Sequence, residues 1–202
     1  LNQPAIESVL NNSITNTSTN ITSCDSYTWP VNGITYTASG IYTHPSPCPP
    51  YTDTLNLTIT SATVVANATS SSICIGYPTI LTGSGTAVTY TWDNGVTDGL
   101  AFNPTTTTTY TVTGTDANAC SNTAQITVTV NPLPTVTANA SPANICMGEF
   151  ITLTGVGAST YTWDNSVIDG VSFSPNTTTT YTVTGMDVNA CINTDMITVT
   201  VN

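Results

Sequence analysis

The sequence predicts an all-β fold built from tandem β-sandwich domains. Segments such as 52–60 and 124–130 alternate apolar and hydroxyl-bearing residues with a period of two, so one strand face lies in a core and the other in water. Residues 62–131 and 132–202 are two copies of one repeat, and each contains several short strand-like segments separated by turn signals. No stretch shows helical periodicity. Short strands at regular spacing, with a Trp on a middle strand, are typical of a two-sheet sandwich.

The repeat is visible as matched sequence. "SICIGYPTILTGSG" at 72–85 matches "NICMGEFITLTGVG" at 144–157, and the 32 residues from Thr89 to Cys120 match those from Thr160 to Cys191. A short linker, "NPLP", joins the copies and is stiffened by its two prolines. For the first copy we predict strands at 63–69, 79–83, 88–93, 100–103, 107–115 and 124–131.

The N-terminal part is different. Its sequence "CDSYTWPVNGITYTASGIYT" carries Asn32-Gly33 between two alternating segments, which is a strong hairpin signal. A proline-rich loop then leads into a last strand at 51–60. We therefore predict four regions: a tail or donated strand at 1–23, a small Cys-bridged β module at 24–61, repeat 1 at 62–131 and repeat 2 at 132–202. We expect the chain to be part of a longer repeat array.

The composition excludes several classes of function. Lys and Arg are absent, and the formal net charge is −11. Nucleic-acid binding and adsorption to anionic membranes need basic side chains, and phosphate-loop, Schiff-base and isopeptide chemistry need Lys or Arg. Thr supplies 46 residues and Asn 20, so the polarity comes from hydroxyls and amides. No catalytic set of residues is recognisable, and we predict that the chain is not an enzyme.

Six cysteines fall two to each of the last three regions, which predicts disulfides in an oxidising compartment. In a sandwich of this kind the two cysteines of a repeat lie in loops at opposite ends, so a bridge between neighbouring repeats, Cys74 to Cys191, is one alternative. Pairing within each region is the simpler evolutionary unit and is the pairing we favour. The pairs would then be Cys24 with Cys48, Cys74 with Cys120, and Cys146 with Cys191.

Several motifs of the sequence resemble those of a known group of proteins. The pattern C-x-G, TYTWDNG, TTTTYTVTGTDANAC and ITVTV resembles the immunoglobulin-like and PKD-like repeats of Bacteroidota surface proteins, including gliding adhesins and other type IX secreted proteins. The N-terminal module is similar to another module of the same proteins. The resemblance covers residues 24–202. It implies tandem immunoglobulin-like β-sandwich domains, exposed outside the cell or at its surface, and it implies no common activity.

Three kinds of site are candidates. The acids recur at matched turn positions, where they either cap the turns or supply oxygens to calcium, the one candidate cofactor; they are Asp93, Asp98, Asp116, Asp164, Asp169 and Asp187. Trp29, Trp92 and Trp163 are expected in the core rather than as a sugar-stacking platform. Asp53-Thr54-Leu55 resembles the O-glycosylation acceptor of the same bacteria, with Thr54 as the modified residue. His44 is expected in an exposed loop.

These observations predict a structural role. We expect a protease-resistant, disulfide-bonded β fibre within an extracellular adhesin, stalk or filament, whose partners are neighbouring copies or modules of the same protein. The alternatives are an immunoglobulin-like module that binds a surface glycan or another partner, and a non-catalytic spacer of a secreted enzyme.

Overall fold

The computed structural model describes residues 16–45 and 51–202, and within those two ranges the fold is all-β. The described residues form nineteen strands and no helix. No helix capable of crossing a membrane therefore occurs in this part of the chain. The fold class predicted from the alternating sequence is confirmed.

The first module, residues 17–60, is a small sheet with a hairpin beside it. Its central strand pairs in parallel with the first strand and antiparallel with the fourth, and the second and third strands pair only with each other. Leu55 and Leu57 alternate on the central strand, so they share one face and pack with Trp29. The strands are β1 (Thr17–Cys24), β2 (Tyr27–Thr28), β3 (Thr35–Tyr36), β4 (Gly40–Pro45) and β5 (Thr52–Thr60).

The first strand corrects one prediction. The prediction of a tail or a donated strand at 1–23 is wrong for residues 17–23, which belong to β1 and pair with β5 of the same chain. Most side chains of β1 are exposed, and the strand carries Thr, Ser and Asn where a buried strand would alternate apolar residues. That is why its sequence shows no recognisable pattern. Residues 1–15 lie outside the described part of the chain.

The middle repeat, residues 62–131, contains two sheets. Their strand orders are β10-β8-β6 and β7-β12-β11-β9. Each of the six strands predicted for this repeat is present. The strand β7 was not predicted, because it has only three residues and one buried apolar side chain and therefore shows no alternation. The strands are β6 (Val64–Ala68), β7 (Ser72–Cys74), β8 (Thr79–Gly85), β9 (Thr89–Trp92), β10 (Ala101–Phe102), β11 (Thr108–Thr115) and β12 (Ser121–Asn131).

The last repeat, residues 132–202, has the same topology, with sheets ordered β13-β15-β17 and β14-β19-β18-β16. Its core includes Leu153, Val183 and Val199, each fully buried, and each such side chain contributes roughly 1.5–3 kcal/mol to folding. The strands are β13 (Thr137–Ser141), β14 (Asn144–Ile145), β15 (Ile151–Val156), β16 (Thr160–Trp163), β17 (Ser172–Phe173), β18 (Thr179–Met186) and β19 (Ile192–Val201).

Threonine occupies the outer faces of these strands. From Tyr181 onward in β18, buried residues alternate with partly or fully exposed ones, and none of the Thr residues of this strand is buried. Thr180 and Thr198 lie opposite each other on β18 and β19, and their hydroxyls are 2.8 Å apart. Cross-strand hydroxyl pairs stabilise a sheet without charge, which explains how a chain without basic residues builds a polar surface.

The chain divides into two compact units. Unit 1 contains the described residues up to Ala66 together with Gly83–Asp93 and Thr111–Gln125, and unit 2 contains Asn67–Thr82, Asn94–Tyr110 and Ile126–Asn202. The division passes through the middle repeat and differs from the repeat boundaries read from the sequence. The boundaries predicted for the small module and for the two repeats stay predictions.

Candidate functional site: the disulfide-linked junctions

The first cysteine of each module lies beside the end of that module's last strand. Cys24 ends β1 and stands opposite Thr60 of the parallel strand β5. Cys74 ends β7 and stands opposite Asn131 of the parallel strand β12. A short strand that runs parallel to the last strand therefore places this cysteine at the end of the module where the chain leaves it.

In the middle and last repeats the second cysteine directly precedes the last strand and lies in a turn of sequence D-x-N-A-C. Asp116 Oδ1 accepts the backbone N–H of Cys120 at 2.9 Å, and Asp187 Oδ1 accepts that of Cys191 at 2.8 Å. The alanine before each cysteine has a φ of 62°, a left-handed conformation that costs roughly 1–2 kcal/mol outside glycine. Both cysteines are almost completely buried.

The disulfides join consecutive modules. Cys24 bonds to Cys120 and Cys74 bonds to Cys191, with Cα–Cα distances of 5.4 and 5.5 Å. The first bond lies within unit 1 and the second within unit 2. The favoured pairing within each region is wrong for these four cysteines, and the alternative from Cys74 to Cys191 is the pairing observed.

Geometry in the last repeat explains why pairing within a module fails. Cys191 directly precedes β19, while Cys146 follows β14, which pairs with the other end of β19. The ten residues of β19 span about 33 Å, and a disulfide requires Cα atoms about 4.4–6.8 Å apart. Cys146 is consequently unpaired and exposed. Cys48 lies outside the described residues, and its predicted bond to Cys24 is wrong because Cys24 bonds to Cys120.

A hydrogen bond from an asparagine side chain to the backbone reinforces each junction. An asparagine two residues after the second cysteine donates to a backbone carbonyl in the segment that enters its own module. Asn122 Nδ2 donates to Ala62 O at 3.1 Å, and Asn193 Nδ2 donates to Pro134 O at 3.0 Å. The sequence analysis missed these two amides, although the matching C-x-N-T segments of the two repeats contain the signal.

Most of the aspartates predicted as calcium ligands accept hydrogen bonds from backbone N–H groups. Asp93 and Asp164 accept the N–H groups of Thr111 and Thr182 at 3.0 and 3.1 Å. Asp116 and Asp187 cap the cysteine turns described above. Asp98 lies in the turn before β10. No group of three or more His, Cys, Asp or Glu side chains suited to a metal occurs in residues 16–45 and 51–202. Calcium binding stays a prediction. The role observed for Asp93, Asp116, Asp164 and Asp187 is to accept backbone N–H groups and so to cap turns.

Asp169 has a distinct role. Its Oδ1 accepts both the backbone N–H of Gly155 at 2.7 Å and the indole Nε1–H of Trp163 at 2.8 Å. Trp163 is 8% exposed, Trp92 is 8% exposed and Trp29 is 4% exposed. The prediction that these rings belong to the core is confirmed, and a sugar-stacking platform made from them is excluded by their burial.

Thr54 and His44 lie on neighbouring strands of the first module. Thr54 is partly buried on β5, the central strand, and pairs with Thr43 of β4 and Ser18 of β1. Its glycosylation stays a prediction. The expectation for His44 is wrong, because it lies on β4, partly buried, with its ring edge-on to Trp29 at a centroid distance of 6.4 Å. Alternation with Tyr42 turns it toward the core.

Comparison with known proteins gives only distant likenesses. No family model and no curated protein matches the chain. One similar solved structure is Dscam1 isoform 6.44, N-terminal four Ig domains, with 10% identity and a TM-score of 0.24 over 85% of this chain. Another is PcdhgB3 EC1-4, with 7% identity and a TM-score of 0.23 over 94% of this chain and 75% of that one. The chain spans about half, 51%, of the Dscam1 structure. The resemblance to Bacteroidota surface proteins stays a prediction.

Proposed function

We propose that this chain is a structural repeat region of an extracellular fibre, such as an adhesin stalk or a filament, in which disulfides join each module to the next. The observation that carries the proposal is the overlap of the two disulfide loops. In chain order the bonded cysteines are Cys24, Cys74, Cys120 and Cys191, and the first bonds to the third and the second to the fourth.

Overlap has a mechanical consequence. A break in any one peptide bond between Cys24 and Cys191 leaves the two fragments joined by at least one disulfide. Disulfides closed within each module would leave every linker as a single covalent connection. A load-bearing fibre that meets proteases benefits from the first arrangement.

Strand pairing favours resistance to extension. In each module the strand that contains the first cysteine, or ends directly before it, runs parallel to the last strand. A force that pulls the two ends of a module apart loads the hydrogen bonds between such parallel strands together, in shear. Rupture therefore requires several backbone bonds to break at once.

Composition supports exposure to a harsh medium. Without Lys or Arg the chain offers trypsin-like proteases no site and forms no Lys or Arg ion pairs that salt could screen. Two disulfides indicate an oxidising compartment, and the net charge of −11 favours solubility. Location outside the cell, at a bacterial surface of the Bacteroidota type, is part of the proposal, as is the pairing of copies or modules with one another.

Negative-stain electron microscopy of the native material tests this function. Beaded threads or continuous fibres with a repeat of one module are expected. Isolated globules would contradict a fibre and would favour the module that binds a glycan or another partner.

A further inference from the structure

Cys146 occupies the same structural position in the last repeat as Cys24 and Cys74, which are both disulfide-bonded, occupy in the two preceding modules. In all three modules the residue after this cysteine donates its N–H to a carbonyl at the end of the last strand, from the final strand residue in the first two modules and from the residue directly after the strand in the last repeat. The three bonds are Asp25 N to Thr60 O at 3.0 Å, Ile75 N to Asn131 O at 2.9 Å and Met147 N to Asn202 O at 3.3 Å.

The turn that carries Cys146 is held by a hydrogen bond, and the side chains beside it are exposed to solvent. Glu149 Oε2 accepts the backbone N–H of Cys146 at 2.8 Å, which fixes the turn. Met147 and Phe150 flank this turn with 72% and 68% of their surfaces exposed. At the matching position of the middle repeat, Cys74 is bonded to Cys191 of the next module. Cys24 and Cys74 each bond to the cysteine that precedes the last strand of the next module, and this indicates the kind of partner expected for Cys146.

We propose that Cys146 forms a disulfide with the cysteine that precedes the last strand of a further module docked on this end of the last repeat. The proposal rests on the proposed function, because it extends the chain of overlapping disulfides by one module. The exposed Met147 and Phe150 would be covered by that module. The partner is a β module of this kind, either later in the same polypeptide or in a separate chain.

The chemistry is thiol–disulfide exchange. The Cys146 thiolate attacks one sulfur of an oxidant disulfide, in a small molecule or in an oxidised protein disulfide, and releases the other sulfur as a thiolate. The partner cysteine, as thiolate, then attacks the Cys146 sulfur of the mixed disulfide. The second oxidant sulfur leaves as a thiolate, so two protein thiols are oxidised and one oxidant disulfide is reduced to two thiols.

Disulfide mapping of the native, full-length protein tests the proposal. Free thiols are alkylated before denaturation, and pepsin then cuts at acid pH, where exchange is suppressed. We expect the Cys146 peptide to be linked to a peptide that precedes a last strand, with loss of its alkylated form. An alkylated Cys146, or a link between two Cys146 peptides, would overturn the proposal.

Two further readouts sharpen the result. If the partner lies in the same polypeptide, the mass of the denatured protein is the same with and without reductant; a partner in a separate chain gives a mass that falls on reduction. In the variant Cys146→Ser the linked peptide must disappear, while Cys24–Cys120 and Cys74–Cys191 remain as internal controls. Fibres seen by microscopy with an alkylated Cys146 would refute this inference alone, whereas globules with a linked Cys146 would refute only the fibre.

Discussion

At the scale of single residues, the carboxylates of this chain act mainly as acceptors for backbone N–H groups. Asp187 accepts two of them, from Asn189 and Cys191, both at 2.8 Å. It thereby holds the turn that carries a buried cysteine of the second junction. The same arrangement recurs at Asp116 in the first junction.

We predict that Asp187→Ala lowers the free energy of unfolding of the last repeat by about 1–2 kcal/mol, because a buried N–H group loses its acceptor. Asp187→Asn keeps an oxygen in place and should cost less than half as much. Denaturant unfolding of both variants, with the disulfides intact, measures the difference. Equal losses for Ala and Asn would show that the charge matters, and not the position of the acceptor.

Asp195 provides a prediction on pH. Hydrogen bonds from the backbone of Ala138, at 2.8 Å to Oδ2, and of Met196 hold the pKa of this carboxyl below its usual value of 3.8. A lowered pKa in the folded state stabilises the fold above pH 3.8, and this contribution disappears as the pH falls through the folded pKa.

The variant Asp195→Asn isolates that contribution. Its melting temperature should lie below that of the unmodified chain at pH 7, and the gap should shrink as the pH falls below 3.8. Thermal unfolding followed by circular dichroism at several pH values measures the gap. A gap that is constant with pH would contradict the assigned hydrogen bonds.

At the scale of strands, one contact within a repeat is unusually close. A Cβ placed on Gly155 of β15 would lie 2.3 Å from Cδ1 of Tyr161. The Tyr161 ring cannot move away easily, because its hydroxyl donates to Ala158 O at 2.7 Å and accepts from Ala158 N at 2.6 Å. Gly83 and Tyr90 make the same contact in the middle repeat.

We therefore predict that Gly155→Ala destabilises the last repeat by about 1–3 kcal/mol through overpacking. Thr154→Ala, on the neighbouring position of the same strand, is the matched control and should change the free energy of unfolding by less than half as much. Denaturant unfolding compares the two variants. A Gly155→Ala variant as stable as its control would show that Tyr161 shifts without cost.

The strands also show what sequence could and could not predict. Long strands with Thr alternating against apolar residues, such as β11 and β12, are predicted from the sequence because alternation reports one buried face. The exposed strand β1 and the short strand β7 carry too little apolar periodicity to be recognised. Both hold a bonded cysteine, so missing their pairing with the last strand removed the information that decides the disulfide pairing.

At the scale of the whole chain, the sequence indicated tandem modules and left the connection between them open. Which cysteines meet depends on contacts between residues 96 and 117 positions apart. Local patterns carry no information on such distances. In the last repeat the two cysteines lie at opposite ends of β19, as the sandwich topology predicts, and the distance between them favours bonding to the neighbouring module.

Overlap of the disulfides is the central claim, and one protease cut tests it most directly. Thr135 is exposed and immediately follows the linker between the repeats. The substitution Thr135→Lys introduces the first trypsin site in the chain, because Lys and Arg are otherwise absent. Thr22→Lys, at another exposed threonine but before Cys24, is the matched control.

Both variants are digested with trypsin in mild denaturant without reductant and compared on denaturing gels. For Thr135→Lys we predict one full-length band without reductant and two fragments with it, because Cys74–Cys191 bridges the cut. The control must release its N-terminal fragment under both conditions. Two separate fragments from Thr135→Lys without reductant would contradict overlapping disulfides and would show that each module closes its own.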